Sequence, residues 1–158
     1  MATIAPGYAI IVPPHQGTDS MTPFHLAFPV RDLEKTRAFY RDVLGCAIGR
    51  SSDTWVDFDL FGHQMSAHLR PDAAAAANDG QVGGKLVPIP HFGVALLMDD
   101  WQALADRLEA RDDVDWLERP MIRFVGEPGE QATLFIRDPS GNALEFKGFR
   151  SLEQVFAH

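Results

Sequence analysis

Asp138-Pro139-Ser140-Gly141-Asn142-Ala143-Leu144-Glu145 is the stretch that decides the reading of this chain. Proline suits the second position of a type I turn and glycine the fourth, so residues 138–141 reverse the chain. Residues 142–149 then read as a strand. Ala143, Glu145 and Lys147 share one face of it, and Leu144 and Phe146 share the other. The turn therefore delivers a carboxylate onto a strand with a greasy reverse side. Such turns are common; this one gains meaning from Glu145 and from two histidines placed elsewhere in the chain.

His25 stands in Phe24-His25-Leu26-Ala27-Phe28, and His91 in His91-Phe92-Gly93-Val94-Ala95-Leu96. Each opens an apolar strand that leads into an amphipathic helix. His25, Ala27 and Pro29 share one face, against Leu26, Phe28 and Val30; His91, Gly93 and Ala95 share one face, against Phe92, Val94 and Leu96. The bulky faces suit packing on helices. The small neighbours of each His leave room for a cavity. Two imidazoles and a carboxylate on three strands are the donors of a divalent metal site with open positions. Taken singly, each residue has an ordinary reading: a satisfied core or surface histidine, a solvated glutamate. The recurrence of His at the same point of two similar segments raises the metal reading above that background.

Those segments are halves of a repeat. In the first, residues 22–30 form a strand and Asp32 caps a helix carrying Leu33, Thr36, Phe39, Tyr40, Val43 and Leu44 at helical spacing. Gly45 ends it as a left-handed cap. Strands follow at 46–50, 54–60 and 63–69, with Phe61-Gly62 as a hairpin turn. In the second, residues 90–98 form a strand, Asp99 or Asp100 caps a helix with Trp101, Leu104, Ala105 and Leu108 as its stripe, and strands follow near 114–118, 132–137 and 142–149. Each half reads β-α-β-β-β. The organisation is an arm over 1–21, a first module over 22–71, a linker over 72–89, a second module over 90–149 and a tail over 150–158. The linker holds the alanines 73–77 and is read as surface chain with at most a helical turn. Residues 120–131, broken by Pro120 and Pro128, read as a long loop, and loops of that length are more often functional than idle.

Composition narrows the function. The 158 residues suit one domain or two small modules on a shared core. With 14 basic and 22 acidic side chains the net charge is −8, which argues against nucleic acid or an anionic membrane as partner. Cys46 is the single cysteine, so no intrachain disulfide forms and a cytoplasmic setting is expected. No apolar run approaches the roughly 20 residues that span a bilayer, and residues 1–20 lack the basic start of a signal peptide.

The chain resembles the vicinal oxygen chelate superfamily, which includes glyoxalase I, extradiol dioxygenases, fosfomycin-resistance enzymes and bleomycin-binding proteins. The resemblance is carried by His25, by Ala38-Phe39-Tyr40-Arg41-Asp42-Val43-Leu44-Gly45, by His91, and by Asp138-Pro139-Ser140-Gly141-Asn142 with Glu145. It implies an α+β fold of two βαβββ modules whose strands form a U-shaped mixed sheet around a metal. It implies His25, His91 and Glu145 as ligands, a small-molecule substrate and a homodimer. Arg50-Ser51-Ser52-Asp53-Thr54-Trp55, Phe61-Gly62-His63-Gln64 and the segment 126–132 look most like bacterial proteins assigned to the extradiol dioxygenases.

Two His and one carboxylate form a facial triad, which on Fe(II) leaves positions for a bidentate catechol and dioxygen. Fe(II) is therefore the expected metal, with Mn, Ni or Zn as alternatives. Glyoxalase I carries a fourth ligand, a Glu, on the last strand of its first module; here that strand, residues 63–69, has no carboxylate, and His68 or Gln64 would have to substitute. The extradiol pattern has a Tyr before the Asp-Pro turn, where this chain has Phe135, and a His upstream, which residues 126–128 lack. Phe135 cannot donate a hydrogen bond. His68, His63 and Glu130 are the candidates for the acid/base role. Lying five apart, His63 and His68 face opposite sides of a regular strand. Arg123 could bind a substrate carboxylate, and Trp55, Phe124 and Phe135 could line an aromatic pocket, although a solvated charge and core packing are their ordinary readings. The alternatives are a glyoxalase-like isomerase or another metal-assisted lyase or transferase, and a non-enzymatic binding protein of the bleomycin-resistance kind.

Overall fold

A computed structural model of the chain describes residues 22–74, 78–82 and 85–157; the expected arm, residues 1–21, lies outside them. β1 (His25–Val30) buries Phe28 and Val30 and exposes His25 and Ala27, the alternation read from sequence. α1 (Leu33–Ala38) starts at Asp32, whose carboxylate accepts from the Lys35 N–H at 3.0 Å. The helix then widens into a π-helical turn, Phe39–Val43, which buries Phe39, Tyr40 and Val43 together. Gly45, at φ +80°, releases the chain as expected.

β2 (Ala47–Ser51), β3 (Trp55–Leu60) and β4 (His63–Leu69) complete the first sheet in the order β1-β4-β3-β2. β4 runs parallel to β1, with His25 opposite Gln64. The second half repeats this. β7 (His91–Leu97), α2 (Met98–Glu109), β8 (Asp115–Arg123), β9 (Gln131–Arg137) and β10 (Ala143–Phe149) give a sheet ordered β7-β10-β9-β8, with β7 parallel to β10. Both modules are therefore βαβββ, and the chain is α+β. β1 and β7, the strands that carry the two histidines, are edge strands. A single apolar core joins the modules: Phe28 lies 5.1 Å from Phe92 between ring centroids, and Phe61 6.3 Å from Phe146. Cys46, 6% exposed, sits in this core, and burial pushes its thiol up to about 12.

Several local readings need correction. The stretch read as a linker contains a hairpin, β5 (Asn78–Val82) with β6 (Lys85–Ile89). Asp99 and Asp100 lie inside the first turn of α2; its N-cap is Leu97, with no side-chain cap, and the two carboxylates favour the positive helix end instead. β8 continues through Pro120 to Arg123, shortening the expected loop to 124–130. Proline is tolerated there because β8 is an edge strand with a register shift between Glu118 and Met121. The tail holds a short 3-10 helix, Leu152–Phe156.

The turn at 138–142 does more than reverse the chain. Asp138, 3% exposed, accepts from the N–H groups of Ser140 (2.8 Å) and Asn142 (2.9 Å), from Asn142 Nδ2 (2.8 Å) and from the Tyr40 hydroxyl (3.3 Å). Burial pushes the Asp138 carboxyl up, and these bonds offset part of that. Burial, with Asp138 beside it, holds the Tyr40 phenol well above its ordinary value. The outer side of the turn grips the first module: Ser140 Oγ accepts from the Arg31 N–H (2.9 Å), the Ser140 carbonyl accepts from Arg31 Nη1 (2.6 Å), and Asn142 Nδ2 donates to the Pro29 carbonyl (3.0 Å). Asp138→Ala leaves three buried donors unpaired and is expected to cost about 2–3 kcal/mol, against no more than about 1 kcal/mol for Tyr40→Phe, whose single bond is long. Urea denaturation of the two variants checks the ranking.

Candidate metal centre

The pairing of β7 with β10 builds the site. Gly93 lies opposite Glu145. A Cβ at 93 would overlap the Glu145 carbonyl oxygen, so the glycine serves close backbone approach and not, as its small size first implies, an open cavity. This approach brings the first residue of β7 beside the third of β10. His91 Nε2 stands 3.1 Å from Glu145 Oε2, with the carboxylate 7% exposed.

Each of these groups is held from behind. His91 Nδ1 lies 2.6 Å from the Pro88 carbonyl, an acceptor that keeps the Nδ1 proton in place and turns Nε2 toward Glu145. Thr133 Oγ1, on a fully buried residue of β9, donates to Glu145 Oε1 at 2.8 Å. Lys147 Nζ stands 3.8 Å from Oε2. The Phe135 ring packs edge-on to His91 at 5.2 Å and is 3% exposed. The Glu145 hydrogen bond holds His91 above its ordinary value despite some desolvation. Burial pushes the Glu145 carboxyl up, but His91, Lys147 and Thr133 outweigh it and leave it below its ordinary value.

An imidazole nitrogen and a carboxylate oxygen that face each other, each with its other atom engaged, fit two positions of a divalent ion. The third expected ligand is elsewhere. His25 is exposed on the first sheet, and among the described residues no three His, Cys, Asp or Glu side chains converge to hold a metal. One chain thus brings together two of the three expected ligands, His91 and Glu145.

The remaining candidates disperse. His68 and Trp55 face each other across β4 and β3 of the first sheet; register places His68 on the His25 face, and Trp55 carries the Arg50 guanidinium at 5.8 Å. His63 Nδ1 accepts from the Phe24 N–H at 3.0 Å, and its ring lines an apolar groove of about 340 Å³ with Phe24, Met65 and Val94. Glu130 accepts from the Gly126 N–H at 2.8 Å and pairs with Arg150 at 3.5 Å, a loop-closing role. Arg123 belongs to β8 rather than a loop, and its guanidinium lies over the Phe124 ring at 5.1 Å.

Thr133 and the Pro88 carbonyl escape the sequence reading. A signal for Thr133 exists: the 138–142 turn sets Glu145 opposite Phe135 and Lys147 opposite Thr133, so Thr133 is the diagonal neighbour of Glu145. The His25 face holds a second unanticipated group. Asp57, 6% exposed, accepts from Ser66 Oγ (2.5 Å) and Gln64 Nε2 (3.2 Å).

The model of the Glyoxalase/Bleomycin resistance protein/Dioxygenase superfamily matches residues 22–146. The metallothiol transferase FosB of Lysinibacillus sphaericus (strain C3-41) is 24% identical over 125 residues, covering 77% of this chain and 78% of that protein. The crystal structure of a glyoxalase/bleomycin resistance protein/dioxygenase from Alicyclobacillus acidocaldarius matches with a TM-score of 0.69 and 29% identity, over 85% of this chain and 96% of that one. The fosfomycin resistance protein FosX of Listeria monocytogenes shares the fold, with a TM-score of 0.60 at 14% identity over 89% of this chain and 100% of that one.

Because the site depends on backbone contact at residue 93, Gly93→Ala is expected to force β7 from β10. The cost should be about 3 kcal/mol or more. Thermal unfolding measures the loss, and the imidazole NMR signals of His91 report whether the contact with Glu145 survives.

Proposed function

The chain belongs to the glyoxalase/bleomycin resistance protein/dioxygenase superfamily, and from that premise we propose that it is a metal-dependent enzyme acting on a small molecule, with His91, Glu145 and the His25 of a second copy as ligands. The observation that carries the reading is the facing pair, His91 Nε2 and Glu145 Oε2 at 3.1 Å, held from behind by Pro88 and Thr133. His25 supports the second-copy assignment, being exposed on an edge strand of the other module. A two-fold dimer would let each copy lend its His25 to the other and complete two equal sites.

A divalent ion held by these residues would supply a Lewis acid for substrate oxygens. The chain supplies the rest. Phe135 keeps water from one side of His91 and offers no proton. Lys147, part-exposed beside Glu145, presents a cation to an anionic substrate oxygen. A site of this kind, electrostatic and without a hydroxyl at 135, favours metal-assisted group transfer or addition, and the likeness to a metallothiol transferase points the same way. Ring cleavage of a catechol with Fe(II) is the second reading. It is supported by His68, which shares the His25 face and would enter a shared cavity as acid/base.

Metal content of protein purified without oxygen tests the proposal, alongside His25→Ala and Glu145→Gln variants. Wild type should hold one Mn, Fe, Ni or Zn per chain and each variant far less. Refolding the two variants together should restore about a quarter of the wild-type sites, because half the dimers carry one intact set. An empty mixture would show that each chain keeps its own triad. Metal-dependent thiol consumption on electrophilic substrates would favour transfer, and oxygen uptake with catechols the dioxygenase. Protein that takes up no metal returns the reading to a binding protein.

A further inference from the structure

We infer that Thr133 is a positioning residue of the metal centre: its buried hydroxyl occupies Glu145 Oε1 so that Oε2 alone is presented to the ion. The inference rests on the metal reading above. Glu145 could otherwise turn either oxygen, or both, toward a cation. The 2.8 Å bond from Thr133 Oγ1 removes that freedom. The donor is itself fixed. Thr133 is fully buried on β9, and a β-branched side chain on a strand has few χ1 choices. Register is fixed too, since the 138–142 turn pins Thr133 opposite Lys147 and one diagonal step from Glu145. His91 is treated the same way by the Pro88 carbonyl. Both donors therefore reach the ion with their second atom committed, the arrangement by which outer hydrogen bonds tune a metal ligand.

The consequence is a single-oxygen carboxylate. That suits ions with tight octahedral or tetrahedral demands, such as Mn, Fe or Zn, and disfavours Ca, which readily takes both oxygens of a carboxylate. Thr133→Val keeps the shape and removes the hydroxyl; Thr133→Ser keeps the hydroxyl. Titration calorimetry with Mn(II) alone, and then with Ca(II) alone, reads the effect on purified metal-free protein.

Thr133→Val should bind Mn about 10–100-fold more weakly than wild type. Its Ca-to-Mn affinity ratio should rise, and Thr133→Ser should stay within about threefold of wild type. A purely structural threonine would weaken both ions alike and leave that ratio unmoved. If Thr133→Val does not fold, Thr133→Ala takes its place with the same expectations. Valine or alanine variants that bind Mn as wild type does overturn this inference and leave the metal reading standing. Wild type that binds no Mn, Fe, Ni or Zn overturns both.

Discussion

A buried carboxylate that accepts four hydrogen bonds, Asp138, sets the geometry on which the rest of this molecule depends. It closes the β9–β10 turn from inside, and the closed turn fixes which residue of β9 faces which residue of β10. Glu145 owes its neighbours Phe135 and Thr133 to that register. The same turn binds Arg31 and Pro29 of the first module through Ser140 and Asn142, so one short segment orders both the site and the packing of the two halves. A polar hub inside an apolar core is costly unless every member is satisfied, and among the described residues no buried side-chain polar atom lacks a partner.

Much of this was legible in the chain. Alternation placed His25 and His91 on the faces opposite the core, and the internal repeat gave the βαβββ order, because both depend on periodicities that short segments carry by themselves. What failed depended on tertiary context. The hairpin at 78–89 has weak strand chemistry, and its alanine-rich approach reads as coil. Pro120 reads as a breaker unless β8 is known to be an edge strand. Gly93 reads as a small neighbour until Glu145 is seen pressing against its backbone. The expected ligands His25, His91 and Glu145 do not all lie on one sheet. His91 and Glu145 meet because β7 and β10 pair within a module, whereas His25 belongs to the other sheet, a separation that sequence spacing does not record.

The two modules have diverged in what their equivalent faces carry. In the second, the strand beside the histidine presents Glu145; in the first, the register partner of Ala27 is Ser66, with Asp57 bonded to it from the next strand. One repeat thus holds a charged donor aimed at its own histidine. The other holds a polar but internally satisfied patch.

The buried thiol of Cys46 has a practical meaning for the chemistry proposed. With its ionisation pushed up to about 12 and 6% of the residue exposed, it stays a protonated thiol at neutral pH. Since it is the chain's single cysteine, the folded protein offers no reactive thiolate to an electrophile and no thiol for exchange with a small-molecule disulfide. A loss of free thiol measured beside the folded protein is therefore a loss from the added small-molecule thiol.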